Sequence, residues 1–199
     1  KNLSEENLME VVIESGAEVV AIDINKNALE ESHFDQRVQK RTIDVTDGGT
    51  VEKLIEELVH DFGGVDILVS NAGMALQSPL LELELSDLRR SFEINFFSHF
   101  NLAKIIGQLF VEQGNKGQML FNISKQAVNP GRNFAAYGLP KSTLMFLVKQ
   151  LSLELGNYGI RVNGVNADRV RSGMLNDDLI ADRAGARGLS VEKYMSGNL

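Results

Sequence analysis

The sequence predicts an α/β fold built on a doubly wound parallel sheet. Short runs rich in valine and isoleucine alternate with longer segments whose apolar residues recur every three or four positions, as in a helix with one buried face. Helical segments of about 15 residues between successive strands indicate crossover connections, which join parallel strands. The chain has 199 residues, a length that suits one domain, so we expect residues 1–199 to form a single domain.

Composition and charge argue against several classes of protein. The 20 Lys and Arg residues are outnumbered by 27 Asp and Glu residues, which gives a formal net charge of −7. An acidic chain without a basic run is poorly suited to nucleic acid or to an anionic membrane surface. No apolar run approaches the roughly 20 residues that span a bilayer. The absence of cysteine and the scatter of three histidines predict no metal site, and we expect a cytoplasmic protein.

The individual strands and helices follow from local patterns. Strands are predicted at 17–23, 38–45, 65–70, 118–123 and 159–165, and long helices at 46–62, 85–112 and 136–155. Asp47 stands at a plausible N-cap of the first helix, and the glycines at 114 and 117 end the second. The polar tail beyond residue 170 predicts a flap and a short helix.

Ligands of such a sheet lie at the carboxyl ends of the strands, so the residues there are candidates for a site. An acidic residue such as Asp23 can accept two hydrogen bonds from a ribose diol and would repel a 2′-phosphate, which favours NAD over NADP. The same residue could simply cap the next turn. The strand-end candidates are Asp23, Asp44 with Val45, Asn71-Ala72-Gly73, Ser124 and Asn166.

Tyr137 and Lys141 lie four positions apart on one predicted helix, so their side chains share a face. An ammonium group beside a phenol favours the phenolate and would lower the pKa of the tyrosine. The pair would then exchange a proton with a carbonyl or alcohol oxygen. Ser124 follows a buried strand and could hold that oxygen by a second hydrogen bond. An incidental Tyr–Lys pair on a helix is the alternative interpretation.

Together these residues make the sequence resemble the short-chain dehydrogenase/reductase family. The 13 positions between Ser124 and Tyr137 agree with that family's spacing. The resemblance extends over about residues 16–172. Its motifs are S-N-A-G at 70–73, Asn95 in a long helix, Ser124, Y-G-L-P-K at 137–141, D-V at 44–45 and G-I-R-V-N at 159–163.

The resemblance implies a Rossmann-like domain with a role for each matching residue. Tyr137 would be the acid/base, Lys141 would lower its pKa and hold the nicotinamide ribose, and Ser124 would orient the substrate oxygen. Asn95 would carry a water that links Lys141 to solvent. The cofactor would be NAD rather than NADP, with Asp23 at its adenosine ribose and Asp44 and Val45 at its adenine. Asn71, Ala72 and Gly73 would contact the neighbouring ribose, and Val170 and Ser172 would contact the carboxamide.

The implied partners are a small alcohol or carbonyl substrate and further copies of the chain. The helices at 85–112 and 136–155 carry apolar residues on more than one face, whereas a surface helix needs only one apolar stripe. We therefore expect a homodimer or homotetramer that covers the second face.

The sequence departs from the family pattern at both ends and beside the catalytic lysine. Residues 1–6 contain no glycine where a G-x-x-x-G-x-G loop would hold the pyrophosphate, and the final strand is also missing. We expect a chain that is incomplete at both ends. Pro140 immediately precedes Lys141, which we interpret as a proline in the first turn of a helix that begins near Ala136.

Four further hypotheses remain open from the sequence. The stretch N-A-D-R-V-R-S-G-M-L at 166–175 is similar to the dehydrogenase part of bifunctional rhamnulose-1-phosphate aldolase/lactaldehyde dehydrogenase proteins. Arg169 and Arg171 in this stretch would suit an anionic ligand or belong to a solvated loop. A 3-oxoacyl-carrier reductase that uses NADP, or a non-catalytic module that has lost its cofactor loop, are the alternatives to an NAD-dependent dehydrogenase.

Overall fold

The computed structural model describes residues 12–32, 34–168, 177–185 and 188–196. Strands and helices alternate along these ranges and the larger sheet is parallel, so the predicted α/β, Rossmann-like class is confirmed. The chain divides into two compact units, one of residues 1–22, 26–41 and 167–199 and the other of residues 23–25 and 42–166. A single domain over residues 1–199 stays a prediction.

Among its described residues, the smaller unit contains most of two paired strands and the helices named below. Strand β1 (Val19–Asp23) pairs with β2 (Val38–Thr42), and helix α1 (Lys26–Glu31) connects them. Ile13, Ala21, Leu29 and Val38 form its buried core. Helices α6 (Asp177–Gly185) and α7 (Val191–Ser196) pack on each other in a second cluster made of Ile180, Ala184 and Tyr194.

The larger unit is built on a three-stranded parallel sheet in the order β3 (Ile67–Ser70), β4 (Gln118–Asn122) and β5 (Arg161–Val165). Gln118 pairs with Ile67 on one side and with Arg161 on the other, so all three strands run together. Their carboxyl ends therefore lie at one edge, where a ligand site is expected in this class of sheet.

Helix α2 (Gly48–Phe62) has the start and the end that its sequence predicts. The Asp47 side chain accepts hydrogen bonds from the backbone N–H groups of Gly49 and Thr50, and Gly63 ends the helix in the left-handed conformation with a φ of 80°. Its apolar stripe is buried, and α2 packs against the helix Ser98–Gln113. The buried residues of the stripe are Val51, Leu54, Ile55 and Leu58.

The second predicted helix is helical throughout but is not one α-helix. It consists of α3 (Leu85–Phe92), a π-helical segment (Glu93–Phe97) and α4 (Ser98–Gln113), and Gly114 ends it with a φ of 65°. A π-helical turn inserts one extra residue and is frequent at functional sites. Here it carries the fully buried Asn95.

Helix α5 (Ala135–Leu155) corrects the expected position of Pro140. Phe134 precedes the helix and its carbonyl accepts from the N–H groups of Tyr137 and Gly138. Pro140 is thus the sixth residue of the helix, not a residue of its first turn, and it removes the N–H that would bond the Ala136 carbonyl. Its ring is buried.

Strand β3 is less buried than its apolar sequence predicts. Ile67 and Val69 are 48% and 43% exposed, whereas Ser70 at its end is buried. The physical reason is its position, since β3 is an edge strand of the three-stranded sheet among the described residues.

Gly117, immediately before β4, has no room for a side chain. A Cβ atom there would overlap the ring of Phe110, which is fully buried in α4. We expect Gly117→Ala to lower the free energy of unfolding by about 1–3 kcal/mol, the usual cost of overpacking a core. Gly156→Ala is the control, because a Cβ there would meet nothing within 4 Å and the φ is −57°. Equal urea midpoints for the two variants would contradict this account of Gly117.

Candidate active site

Lys141 is a lysine in the interior of the larger unit. Helix α5 presents its side chain to the end of β4, where Nζ donates a hydrogen bond of 2.9 Å to the carbonyl oxygen of Asn122. The residue is only 2% exposed, and burial lowers the pKa of its ammonium group to about 8. Nζ also lies 5.8 Å from the centroid of the Tyr137 ring, so the two residues predicted to act together are neighbours.

Ser124 and Tyr137 form the second half of this arrangement. Ser124 lies two residues beyond β4 and is 8% exposed, and its hydroxyl is hydrogen-bonded to the phenol of the half-buried Tyr137. The Ser124 Oγ also accepts a hydrogen bond from the N–H of Gln126, which fixes the hydroxyl at the start of a short 3₁₀ turn. The sequence-predicted group of Ser124, Tyr137 and Lys141 is therefore brought together.

The pKa of Tyr137 differs from the sequence-based expectation. Burial raises the pKa of the phenol above its ordinary value, and the hydrogen bond with Ser124 opposes that rise. Lys141 is not among the groups that shift this pKa, although its Nζ lies 5.8 Å from the centroid of the Tyr137 ring. The direction of the shift in this structure is thus opposite to the expected one.

The turn at 71–74 is tied to the π-helical segment. Asn95 Oδ1 accepts from the N–H of Met74 at 3.1 Å, and Asn95 Nδ2 donates to the Met74 carbonyl at 3.0 Å and to Ser91 Oγ at 3.0 Å. A Cβ atom at Gly73 would come within 3.0 Å of Asn95 Oδ1 and 3.7 Å of Lys141 Nζ. Only glycine leaves the backbone of this turn bare beside Lys141.

These contacts bear on the water that Asn95 is expected to carry. Both amide protons of Asn95 are donated within the protein, one to Met74 and one to Ser91. The side chain thus holds the turn against the helix, and a water carried by Asn95 stays a prediction.

Asp23 ends β1, and Asp44 lies two residues beyond the end of the neighbouring strand β2. The N–H of Ile43 donates to the carbonyl oxygen of Asp23 at 3.0 Å, which places the two acidic residues at one strand edge. Asp23 Oδ1 accepts from the N–H of Asn25 at 2.7 Å, and Asp44 Oδ1 accepts from the N–H and the hydroxyl of Thr46. Both carboxylates are exposed and can accept further hydrogen bonds, and Val45 beside them is half-buried.

Two of the predicted cofactor contacts, Val170 and Ser172, lie outside the described residues, as do Arg169, Arg171 and residues 1–6. Asn166, the last strand-end candidate, follows β5. Within the described ranges no group of three His, Asp or Glu side chains could hold a metal ion. In the same part of the chain, no helix combines the length and the apolarity needed to span a membrane.

Sequence reasoning missed Asn122 and His99. Asn122 supplies a backbone carbonyl to Lys141, and its Nδ2 donates to Asn71 Oδ1 at 2.6 Å. His99 Nδ1 is 2.6 Å from the hydroxyl of Ser70. A backbone acceptor leaves no mark in a sequence, but His99 follows Asn95 by four positions and could have been recognised as a residue on the same helix face.

Comparison with known proteins assigns the chain to a family. The model of the short chain dehydrogenase family matches residues 6–181. This chain belongs to the short-chain dehydrogenase family. It is 30% identical over 180 residues to an uncharacterized oxidoreductase of Bacillus subtilis, YuxG, an alignment that covers 89% of this chain and 25% of that relative.

A relative and a solved structure, both named as 7α-hydroxysteroid dehydrogenase, are also similar to this chain. The 7α-hydroxysteroid dehydrogenase of Escherichia coli K12 is 32% identical over 158 residues, which are 76% of this chain and 60% of that protein. A structure titled as a 7α-hydroxysteroid dehydrogenase complexed with NADH and 7-oxo glycochenodeoxycholic acid has a TM-score of 0.69 and 31% identity, and covers 75% of this chain and 60% of that one.

The sorbitol-6-phosphate 2-dehydrogenase of Erwinia amylovora shares the short-chain dehydrogenase fold with a TM-score of 0.82 and 27% identity, covering 94% of this chain and 75% of that one. The present chain spans less than two thirds of the Bacillus subtilis and Escherichia coli relatives. The family and the fold class of this short-chain dehydrogenase are thus established.

The buried Lys141 makes the stability of this chain depend on pH. Between about pH 8, the pKa of Lys141 in the folded chain, and 10.5, its ordinary value, the unfolded chain binds the proton and the folded chain does not. The free energy of unfolding should therefore increase by at most about 3 kcal/mol as the pH rises over this range, because of Lys141. Urea unfolding at several pH values should show this gain in the wild type and not in Lys141→Met.

Lys104→Met is the control for this experiment, because Lys104 is an exposed lysine on α4. It should keep the wild-type dependence on pH. If the free energy of unfolding depended on pH in the same way in the wild type and in Lys141→Met, Lys141 would not be desolvated as described.

Proposed function

We propose that this chain carries the site of an NAD(H)-dependent oxidoreductase that interconverts a small alcohol and the corresponding carbonyl compound. The observation that carries the proposal is the grouping of Ser124, Tyr137 and Lys141, a hydroxyl bonded to a phenol beside a buried ammonium group. Membership of the short-chain dehydrogenase family and the NADH complex of a similar 7α-hydroxysteroid dehydrogenase support it.

Each of the three residues would have a separate role in the reaction at the substrate oxygen. Ser124 Oγ would hold that oxygen by a hydrogen bond. Tyr137 Oη would give its proton to a carbonyl oxygen in the reduction and take the hydroxyl proton in the oxidation. Lys141 would stabilise the negative charge on Tyr137 Oη in its ionised form and bind a ribose hydroxyl. The nicotinamide group, when bound, supplies or accepts the hydride.

The described residues fit a dinucleotide. Gly73 leaves bare backbone beside Lys141, where a side chain would clash with Asn95, so a ligand can approach the turn formed with Asn71 and Ala72. Asp23 keeps an exposed carboxylate that can accept from a ribose diol. Asp44 with Val45 would contact the adenine, and Val170 with Ser172 the carboxamide.

The alternatives differ in cofactor, in activity or in domain composition. A 3-oxoacyl-carrier reductase would prefer NADP, which the carboxylate of Asp23 disfavours. A non-catalytic module would bind no dinucleotide, and the Ser124, Tyr137 and Lys141 group argues against it. The fusion to a rhamnulose-1-phosphate aldolase finds no support among the relatives reported above, and sequencing of the complete gene would decide it. A cytoplasmic location likewise stays a proposal.

Tyr137→Phe tests the acid/base. The change keeps the ring in place and removes Oη, so turnover in the complete protein should fall by about 10²–10⁴-fold while NADH affinity stays close to that of the wild type. Lys141→Ala should lower turnover and also weaken NADH binding. Tyr158→Phe, at a tyrosine that is 57% exposed beyond α5, is the control. Retention of more than about a tenth of wild-type turnover by Tyr137→Phe, with chemistry rate-limiting, would exclude the mechanism.

Asp23 tests the choice of cofactor. Repulsion of a 2′-phosphate and loss of the diol hydrogen bonds should make kcat/KM about a hundredfold lower with NADP than with NAD. Asp23→Asn removes the charge, so it should reduce that preference, whereas Glu56→Gln, at an exposed acid on α2, should not. Equal kcat/KM values for both cofactors in the wild type would refute the role of Asp23.

A second copy of the chain is the partner proposed for the apolar faces of α4 and α5. Leu139, Phe146 and Leu153 follow one another at seven-residue steps along α5 and are 47%, 67% and 76% exposed. Phe97, the last residue of the π-helical segment, and Phe100, near the start of α4, are also exposed. Surfaces of this kind mark contacts between proteins, and symmetric dimers or tetramers would bury them.

Light scattering of the complete protein should therefore give the mass of a dimer or a tetramer. Phe146→Glu should shift that mass towards the monomer, because it places a charge on the exposed apolar stripe of α5. Glu52→Lys, an equally polar change on the outside of α2, should leave the mass unchanged. A monomeric wild type would remove this proposal.

A further inference from the structure

One face of the helical run α3 to α4 carries polar residues that are completely buried. Ser91, Asn95 and His99 follow one another at steps of four positions, and each is 0% exposed. Residues four positions apart share a helix face. Three polar side chains in such a place are costly unless each has hydrogen-bond partners, so their contacts indicate what the face is for.

His99 holds the beginning of the strand-end turn. Its Nδ1 lies 2.6 Å from the hydroxyl oxygen of Ser70, the last residue of β3, which is 2% exposed. Its ring also lies beside Phe121 in the neighbouring strand β4, with 6.3 Å between the ring centroids. The imidazole thus lies between the ends of β3 and β4. Among the described hydrogen bonds, the one side chain that it bonds is that of Ser70.

The imidazole is uncharged under ordinary conditions. Burial lowers the pKa of His99 to about 3, and the positive charge of Lys141 acts in the same direction. A hydrogen bond with the backbone of Ala72 acts in the opposite direction but is outweighed. The bond between His99 and Ser70 is therefore one between neutral groups, and its strength should not change between pH 5 and pH 9.

Asn95 holds the other end of the same turn. Its side chain bonds both the N–H and the carbonyl oxygen of Met74. One turn of helix apart, His99 and Asn95 thus hold the two ends of the five-residue segment 70–74. The bare backbone of Gly73 and the side chain of Asn71, proposed above to contact the cofactor, lie between these two anchors.

We propose that His99 is a positioning residue that, through its bonds with Ser70 and with the backbone of Ala72, fixes the turn 71–73 in the conformation that receives the dinucleotide. This inference rests on the function proposed above. His99 touches neither the substrate nor the cofactor in this role. It acts by holding the turn in place. Its loss should therefore weaken cofactor binding more than it slows the chemical step.

The test compares two replacements of His99 in the complete protein. His99→Leu fills the buried space but offers no hydrogen bond, whereas His99→Asn offers a polar atom close to the position of Nδ1 and fills the space poorly. A packing role predicts that Leu is tolerated better than Asn. The positioning role predicts the reverse for NADH affinity, with the dissociation constant raised about tenfold in His99→Leu and less in His99→Asn.

Ser70→Ala removes the same hydrogen bond from the other side. If His99 acts through Ser70, the double variant His99→Leu with Ser70→Ala should bind NADH no more weakly than His99→Leu alone. The control is Ser98→Ala, which removes a buried hydroxyl that bonds only its own helix at the Ile94 carbonyl among the described contacts. That variant should leave NADH affinity unchanged.

Two measurements besides turnover report the effect. Equilibrium titration of NADH fluorescence gives the dissociation constant, and hydrogen exchange of the amides at 71–74 reports the order of the turn in the free protein. We expect faster exchange there in His99→Leu and Ser70→Ala, and a KM for NAD that rises while kcat falls little. The effect of each variant on the NADH dissociation constant should be constant from pH 5 to pH 9.

Unchanged NADH affinity and unchanged exchange at 71–74 in a folded His99→Leu would overturn the inference, as would additive effects in the double variant. If His99→Leu does not fold, His99→Asn and Ser70→Ala carry the same comparison. If the wild type does not bind NADH, the proposed function fails, and the exchange measurement still decides whether His99 orders the turn.

Discussion

A buried ammonium group needs hydrogen-bond acceptors, and the arrangement of the candidate site follows from where Lys141 finds one. Its Nζ donates to the Asn122 carbonyl at the end of β4, which fixes the first turns of α5 against the carboxyl edge of the sheet. Tyr137, one turn earlier, is thereby brought to Ser124, two residues beyond β4. A serine, a tyrosine and a lysine that are spread over 18 positions thus meet because one cation cannot be left unpaired.

The same edge is held from the opposite side by the helical run that contains the π-helical segment. Asn95 lies in that segment, and its amide bonds Met74 while Ser91 supports it from the preceding turn. An extra residue in a helix rotates the side chains that follow it relative to those before it. The run can therefore keep an apolar face toward the core and still direct Asn95 toward the turn.

Much of the fold is predictable from the sequence because its signals are local. The N-cap at Asp47 and the left-handed glycine at 114 are determined within a few residues, and both were confirmed. The π-helical interruption and the place of Pro140 in α5 were not predicted, because each depends on tertiary packing that outweighs local preference. The grouping of the site residues followed from strand ends and helical spacing, but the acceptor of Lys141 is a backbone carbonyl that no residue type reveals.

Burial raises the pKa of Tyr137 and lowers that of Lys141, which reverses the usual order of the two pKa values. In water a lysine holds its proton slightly more tightly than a tyrosine does. In this structure the pKa of Lys141 falls to about 8 while that of Tyr137 rises, so the uncharged phenol is favoured and a phenolate–ammonium pair is not. At neutral pH the site therefore holds a phenol, which suits it to give a proton to a carbonyl oxygen. Proton removal from an alcohol requires added stabilisation of the phenolate, and the hydroxyl of Ser124, already bonded to the phenol, contributes in that direction.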